Sequence, residues 1–579
     1  MKELKVWLLL AMVFCLSALV PQTASASRND GRWVQYRQPD GTVLTVRFCG
    51  DEHFTYYVTQ TGKLMNRGDD GFLKLISKED LLQEVNQARS SEQTTTKRKG
   101  RLRTNWDPEK VYKLPVILVS FSDEQFKSNH SAAFYDSLFN EPGFNKKIGP
   151  GCVADYFREQ SNGLFNASFD IYGPIQMPDT AACYSKPGSG TYRTVLRKAF
   201  IKAVDSLAID LSVYDWDGDG LVQQVVFIYA GYGGNDGKSP RKGIINPHTS
   251  TFSTYESHGV RANWYTCSAE RWGYNDESCG IGTICHEFTH ALGLPDLYPT
   301  TGSEYSVVDE WDLMDGGNFT NWGWCPPNYS ALEKMLLGWQ TPVELTEPTT
   351  ITNMKSVAEG GTVYCISHTD DEFFLLENRQ QVGWDAGIPG KGLAIFHVFY
   401  NDVAWHIGGD GGSNSVNNNS NMHRYELVPA DNMGYYASLD WAKAIKKQQF
   451  QNNVERLNSN VLSGAPYPLV TDTIENRRLT ASSTPAMKVF DVVAGGDSIM
   501  NKPITNIQMS EDGLISFDFM DEVETGISSM QTANCMMHDN IYDLQGRKVL
   551  YPQPNRLYIR NGRKFIISSN INTNKTNKL

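Results

Sequence analysis

The stretch from Ile281 to Asp296 constrains the fold of this chain more than any other, and it reads I-G-T-I-C-H-E-F-T-H-A-L-G-L-P-D. Residues four apart on a helix lie on one face, so His286 and His290 are expected to present two imidazoles side by side. Gly293 then predicts the end of the helix, because glycine adopts backbone conformations that other residues avoid. The chain can turn there and bring Asp296 back towards the imidazoles.

Two imidazoles and one carboxylate form a donor set suited to zinc, and they leave a fourth position for water. That arrangement is typical of catalytic rather than structural zinc. A zinc ion lowers the pKa of its water, and Glu287 stands between the histidines as the general base that takes the proton. The motif H-E-x-x-H arises by chance in roughly one chain in a hundred of this length. The glycine and the aspartate at matching offsets make a chance origin rarer still.

Several further stretches carry a family resemblance, and they are Ala154–Ser161, His286–Tyr298, Asp312–Gly317, Leu336–Trp339, Phe374–Arg379 and Gly392–Val398. Through them, residues 27 to about 520 resemble the immune inhibitor A (M6) family of bacterial secreted metallopeptidases, relatives of the metzincins. The resemblance implies a zinc endopeptidase that hydrolyses extracellular proteins or peptides. It also implies a Met-turn at Met314, whose side chain forms an apolar floor beneath the metal ligands.

The third zinc ligand has two candidates. Many metzincins carry histidine where this chain has Asp296. Other zinc peptidases take a glutamate from a downstream helix, and Glu333 lies in a predicted helix from Ser330 to Leu337. The glycine turn in front of Asp296 favours the aspartate.

The chain of 579 residues is long enough for three or four folding units. The predicted fold is α+β multidomain: a metzincin-like zinc metallopeptidase core, a β-rich C-terminal domain and a small strand-rich pro-domain. The predicted segments are a signal peptide (1–26), a pro-domain with a basic activation linker (27–105), a catalytic domain (106–345), a β-rich domain (346–522) and a tail (523–579). The tail is similar to the C-terminal sorting or anchoring domains of secreted Bacteroidetes proteins, so the protein is expected to be secreted or on the cell surface.

The N-terminal apolar run, Val6 to Val20, is too short to predict a membrane span in the mature chain. The basic residues at 97–103 predict an exposed site for an activating protease, although a plain tether has the same composition. Within the core, buried strands are predicted at Leu114–Phe121 and Val222–Ala230. Helices are predicted at Val153–Gln160 and Val195–Leu207.

A second cation site is predicted between Asp215 and Gln223. Asp215, Asp217 and Asp219 alternate along the chain as in the first half of an EF-hand loop, and Gln223 takes the ninth position. The closing glutamate is missing, because Val226 occupies the twelfth position. Calcium completed by another segment and a simple acidic turn before the strand are both compatible with this pattern.

The pro-domain contains Phe48-Cys49-Gly50-Asp51, which looks like the Phe-x-Gly-Asp plug of astacin pro-segments. The thiol of Cys49 or the carboxylate of Asp51 is therefore a candidate for the open zinc position in a latent precursor. A strand that ends in a glycine turn is the structural alternative.

The net charge of -12 argues against a nucleic-acid partner, since no domain-wide basic field opposes phosphate. An alternative hypothesis is a surface adhesin or carbohydrate-binding protein whose β-rich region carries the binding function. Glu287 speaks against it, because a purely structural metal needs no base between its histidines. A zinc hydrolase of non-peptide substrates is a third hypothesis.

Overall fold

The computed structural model describes residues 33–84, 105–433 and 462–520, apart from gaps at 51–54, 69, 78–79, 82, 145–148, 185–190, 236–244, 274, 301–305, 408–412 and 493–497, and four strands between 541 and 566. Two compact units divide the chain, Met1–Asp521 and Glu522–Leu579. The predicted signal peptide (1–26), the basic linker (97–103) and most of the predicted tail lie outside the described residues. Within the described part, no helix is long and apolar enough to cross a membrane.

The N-terminal part is an antiparallel sheet of five strands, each paired with the next along the chain. The strands are β1 (Trp33–Arg37), β2 (Val43–Gly50), β3 (Thr55–Thr59), β4 (Leu64–Arg67) and β5 (Leu73–Leu75). Side chains on neighbouring positions of β2 enter different apolar clusters: Phe48 packs with Val34, whereas Cys49 packs with Tyr56. Both faces of this small sheet are therefore covered, as alternation along a strand allows.

A mixed sheet in the order β7-β6-β8-β10-β9 forms the centre of the next part. Its strands are β6 (Val111–Ser120), β7 (Asn166–Gln176), β8 (Val225–Tyr232), β9 (His248–Ser257) and β10 (Val260–Arg271). Four strands run parallel, whereas β9 is antiparallel to β10 and lies at the edge. Along β6, Val116 enters one apolar cluster and Ile117 the other. The predicted strand at 114–121 is thus confirmed, and burial on both faces explains its unbroken apolar run.

Helices cover both faces of this sheet. The α-helices described between residues 105 and 520 are α1 (Ala132–Asn140), α2 (Val153–Gln160), α3 (Thr191–Leu207), α4 (Gly282–Ala291), α5 (Ala331–Leu336) and the short α6 (Asp402–Trp405). Phe157 of α2 and Phe288 of α4 lie in one cluster, and their rings are 5.0 Å apart. Phe200 of α3 lies in the other cluster. The helices predicted at 153–160 and 195–207 are therefore present, and the sheet separates two helical layers.

Two further sheets follow. The strands β11 (Val343–Glu344), β13 (Tyr364–Ser367), β14 (Glu372–Arg379), β15 (Gly392–Phe399) and β16 (Tyr425–Leu427) form one, and β12 (Thr349–Met354), β19 (Ile504–Met509) and β20 (Ile515–Phe519) form the other. A small pair, β17 (Leu469–Val470) and β18 (Glu475–Asn476), lies between them in sequence. Phe374 of β14 packs in a cluster with Phe517 of the second sheet, whereas Leu375 packs with the helices α2 and α4. The predicted β-rich region thus shares one continuous core with the residues before 346.

The second unit contains β21 (Ile541–Tyr542), β22 (Lys548–Val549), β23 (Leu557–Arg560) and β24 (Arg563–Ile566). They form a four-stranded antiparallel sheet in the order β22-β21-β23-β24.

Candidate metal centre

Helix α4 carries the H-E-x-x-H motif, and every residue from Gly282 to His290 on it is buried. Gly282 lets the helix start close to a neighbouring loop, because a Cβ there would overlap the carbonyl oxygen of Asn318. Gly293 follows the helix with a φ of 105°, a conformation that only glycine adopts without strain. The predicted turn therefore exists, and it directs the chain from His290 back to Asp296.

Three potential ligand atoms meet at one point. Asp296 Oδ1 lies 3.3 Å from His286 Nε2 and 3.2 Å from His290 Nε2. The two imidazole rings stand almost perpendicular, with their centroids 4.9 Å apart. All three side chains are buried, and they form one of two clusters of potential metal ligands among the described residues. The structure thus brings together the three residues that the sequence singled out.

The opposite edge of each imidazole is held by a backbone carbonyl. His286 Nδ1 donates to the oxygen of Leu313, and His290 Nδ1 donates to the oxygen of Leu294, each over 2.8 Å. A carbonyl can only accept, so Nδ1 carries the hydrogen and Nε2 keeps its lone pair. Both Nε2 atoms are buried and, apart from their approach to Asp296, make no hydrogen bond of good geometry within the described residues.

Lone pairs that converge in a dry interior are costly unless a donor or a cation faces them. Carbonyl-oriented imidazoles with a nearby carboxylate are the donor set that zinc takes in proteins. Burial would raise the pKa of the Asp296 carboxyl, but the positive charge of His290 and His286 in their protonated form outweighs burial and holds that pKa below its usual range. A zinc ion facing the two Nε2 atoms would supply positive charge in place of those protons. The carboxylate is thus charged, and the residues fit a zinc ion.

Glu287 is fully buried on the same helix, next to His286. The hydroxyl of Thr249, on the edge strand β9, lies 2.5 Å from the Glu287 backbone oxygen and 3.1 Å from its Oε2. The candidate base is therefore held against the edge of the sheet. Thr249 escaped the sequence interpretation, since a threonine in a mostly polar strand gives no signal of its own.

Glu333, the competing third ligand, has a different role in the structure. It is the third residue of helix α5, and its Oε2 accepts hydrogen bonds from the backbone N–H and the hydroxyl of Ser330. This is a capping box, which satisfies the free N–H groups at a helix start. Glu333 is absent from the ligand cluster at His286 among the described residues, whereas Asp296 belongs to it.

The predicted Met-turn lies directly against residues 293–300, which we call the metal loop. Met314 is buried, its N–H donates to Asp312 Oδ1 over 2.9 Å, and its oxygen accepts from the N–H of Leu297 over 2.9 Å. The carbonyl that orients His286 belongs to the preceding residue, Leu313. The turn at 312–314 thus supports the site through its backbone.

The second ligand cluster consists of Asp215, Asp217 and Asp219, whose carboxylate oxygens lie within 4.8 Å of one another. Asp215 accepts hydrogen bonds from the backbone N–H groups of residues 218, 219 and 220, as the first residue of a tight loop does. Gln223 bridges the loop: its oxygen accepts from the N–H of Trp216, and its amide donates to Asp217. The four predicted residues therefore share one partly exposed loop.

Of the two residues predicted to maintain latency, the structure describes only Cys49. Cys49 is buried in the small N-terminal sheet, in a cluster with Tyr56, Val58 and Leu81. Asp51 lies outside the described residues. The thiol therefore packs inside its own domain.

Part of the chain is similar in sequence to known proteins. Residues 108–337 match the family described as Immune inhibitor A peptidase M6, catalytic domain. The chain is 25% identical over 308 residues to Immune inhibitor A of Bacillus thuringiensis subsp. alesti, which covers 42% of this chain and 44% of that protein. It is 23% identical over 270 residues to Pre-pro-metalloprotease PrtV of Vibrio cholerae serotype O1 (strain M66-2), which covers 39% of this chain and 29% of that protein.

The chain therefore spans less than half the length of these curated relatives. The matched residues include strands β6 to β10, helices α1 to α5 and the complete cluster of His286, His290 and Asp296. Residues 108–337 therefore match the catalytic domain of M6 metallopeptidases, and the chain is similar in sequence to immune inhibitor A and PrtV.

Proposed function

We propose that the chain is a secreted zinc endopeptidase, made as an inactive precursor, that cleaves extracellular proteins. The observation that carries the proposal is the convergence of two buried imidazole lone pairs and the Asp296 carboxylate, with Glu287 on the same helix. In this proposal His286, His290 and Asp296 hold the zinc ion. Three protein ligands leave one position open, as catalysis requires.

A zinc ion in this position supplies a Lewis acid that polarises the scissile carbonyl and acidifies water. Glu287 takes the proton of the attacking water and passes it to the leaving amine. The Thr249 hydroxyl holds the Glu287 carboxylate in place for both transfers. The apolar surroundings of α4 keep bulk water away from the reacting groups, which strengthens every charge interaction there.

The edge strand β9 favours an extended peptide as the substrate. It pairs with β10 on one side, and the described residues add no strand on its other side. An extended peptide can pair with the exposed end of such an edge through its backbone, largely independently of its side chains. Since Thr249, at the buried end of β9, contacts Glu287, a peptide that follows the exposed end of this strand is directed towards the proposed base.

Latency is proposed to end with cleavage in the basic linker at 97–103 by an activating protease. Trp106 follows the linker closely, and its indole donates to the backbone oxygen of Leu337 over 2.7 Å. Its ring also lies 5.0 Å from that of Phe165 and 5.6 Å from that of Trp339. The catalytic domain is thus fastened immediately after the linker, so cleavage there leaves its first strand in place.

Before that cleavage, the pro-domain is proposed to block the open zinc position. The burial of Cys49 favours Asp51 as the blocking group. The loop with Asp215, Asp217, Asp219 and Gln223 is proposed to bind calcium. Calcium would then stabilise the segment that leads into strand β8. The signal peptide (1–26) and the tail (523–579) are proposed to direct export and sorting.

The test is cleavage of a denatured protein by the processed, zinc-loaded chain, with and without a zinc chelator, and by Glu287→Gln. We expect the chelator to abolish cleavage and Glu287→Gln to lower it by about 10²- to 10⁴-fold, the usual contribution of a general base. Zinc content should stay at one per chain. The exposed Glu347→Gln is the matched control.

Full activity of Glu287→Gln would refute the mechanism. A folded, zinc-loaded chain that cleaves nothing in a broad panel of proteins would instead favour the alternative, a surface adhesin or carbohydrate-binding protein.

A further inference from the structure

The segment Ser413–Asn418, which follows α6 in the chain, lies against the metal loop. Asn414 is 5% exposed and has a φ of 44°, the left-handed region that asparagine tolerates better than most residues. Its Oδ1 accepts from the N–H of Asp296 over 2.8 Å, and its Nδ2 donates to Asp296 Oδ2 over 2.7 Å. The oxygen and the nitrogen of the Asn414 side-chain amide therefore both form hydrogen bonds with Asp296.

The orientation of this amide is determined by its partners. A backbone N–H can only donate and a carboxylate can only accept, so the Asn414 oxygen must face the first and its nitrogen the second. The same contact distinguishes the two oxygens of the Asp296 carboxylate. Oδ2 is held by Asn414, whereas Oδ1 faces the Nε2 atoms of His286 and His290.

We propose that Asn414 is a positioning residue of the zinc site, which directs Asp296 Oδ1 towards the metal position by holding Oδ2. The carboxylate cannot rotate about its terminal bond without losing the Asn414 hydrogen bond. The inference rests on the proposed zinc site and deepens it. It also means that the M6 domain at 108–337 is completed by a residue from outside the matched region.

Neighbouring hydrogen bonds make the contact rigid. The hydroxyl of Thr300 donates to the backbone oxygen of Asn414, and its N–H donates to Asn418 Oδ1, each over 2.7 Å. Asn417 Nδ2 donates to the oxygens of Leu297 and Tyr425 over 2.7 and 2.8 Å. Because Tyr425 opens strand β16, these asparagines tie the metal loop to the five-stranded sheet of the β-rich region.

Residues that orient metal ligands typically contribute 10- to 100-fold to metal affinity. Asn414→Gly removes the amide and keeps a residue that suits the left-handed backbone. Asn414→Asp keeps the size and the acceptor, but it places a second carboxylate oxygen against Asp296 Oδ2. Asn353→Gly is the matched control, because Asn353 is exposed and has a φ of 54°.

The experiment uses the full-length chain stripped of metal. It measures the zinc Kd by competition with a coloured chelator, the visible absorption of the cobalt-loaded protein, and the thermal midpoint of the metal-free protein. We expect Asn414→Gly to raise the zinc Kd about 10- to 100-fold and Asn414→Asp to alter the cobalt spectrum. The metal-free midpoint of Asn414→Gly, compared with that of Asn353→Gly, measures the loss of fold stability separately from the loss of zinc affinity.

A wild-type zinc Kd and cobalt spectrum in both Asn414 variants overturn the proposal. If Asn414→Gly does not fold, the cobalt spectrum of the size-matched Asn414→Asp decides alone. A wild-type chain that binds zinc but cleaves nothing refutes the proposed activity and still tests Asn414. A wild-type chain that binds no zinc overturns both.

Discussion

Replacing Glu333 with glutamine should make the free energy of unfolding less dependent on pH. Glu333 is buried at the start of helix α5, and burial, together with the neighbouring Asp312 carboxylate, raises its pKa well above the usual range. Burial also raises the pKa of Asp312 to about 6. The folded chain therefore keeps a proton on Glu333 at a pH at which the unfolded chain has released it.

The sign and size follow from this difference in proton binding. A group whose pKa is raised by folding stabilises fully below its unfolded pKa, and that stability is lost as the pH rises towards the folded pKa. One proton corresponds to about 1.4 kcal/mol per pH unit. Between the unfolded and the folded pKa of Glu333, the wild type should lose up to about 1.4 kcal/mol per pH unit relative to Glu333→Gln.

Glutamine is a close mimic of the protonated glutamate. Its oxygen can accept from the Ser330 N–H and hydroxyl, as Glu333 Oε2 does, and its amide can donate towards Asp312. The capping box is thus preserved, and the variant removes the titration without removing the contact.

The assay is urea unfolding of the metal-free chain, followed by tryptophan fluorescence between pH 5 and pH 8. The exposed Glu347→Gln serves as the control. A difference between Glu333→Gln and wild type that stays constant over this range would refute the reasoning. So would a glutamine variant that is less stable than the wild type at pH 7.

Two further predictions concern buried hydrogen bonds. Thr249→Val should lower kcat by about tenfold, roughly 1.4 kcal/mol. The reason is that the single hydroxyl hydrogen of Thr249 is shared between the backbone oxygen and Oε2 of Glu287, so its bond to the carboxylate is weak. Unchanged steady-state kinetics or altered zinc content would contradict this prediction. Arg379→Met should destabilise the chain by about 3–5 kcal/mol in urea unfolding, since Arg379 donates to both oxygens of Asp385 over 2.7 Å and all these groups are buried. Adding Asp385→Asn should recover part of that loss, and a single-variant loss below about 1 kcal/mol would disprove the role.

The local elements of the catalytic part were predictable from sequence. The strand at 114–121, the helix at 153–160 and the turn at Gly293 all appear in the structure near their predicted positions. Each depends on side chains that are close along the chain, so its signal is contained in a short window. The edge strand β9 was not predicted, because its alternation breaks where one end is buried and the other exposed.

The boundary predicted at 345–346, between the catalytic and the β-rich domain, shows what amino-acid composition does not reveal about packing. The change to short strands after Thr349 is real, and the structure contains two sheets there. However, a sequence that is apolar on both faces of β14 does not say what covers each face. The structure shows that one face packs on the second sheet and the other on the helices of the catalytic part.

The sequence by itself determined the proposed ligand set and its spacing, because helix geometry and one glycine suffice to bring His286, His290 and Asp296 to one side of a short segment. Only the tertiary structure decided which groups orient them. The carbonyl of Leu313 lies 27 residues from His286, and the amide of Asn414 lies 118 residues from Asp296. Such contacts depend on how distant segments pack around a common core, and no local pattern of residues encodes that packing.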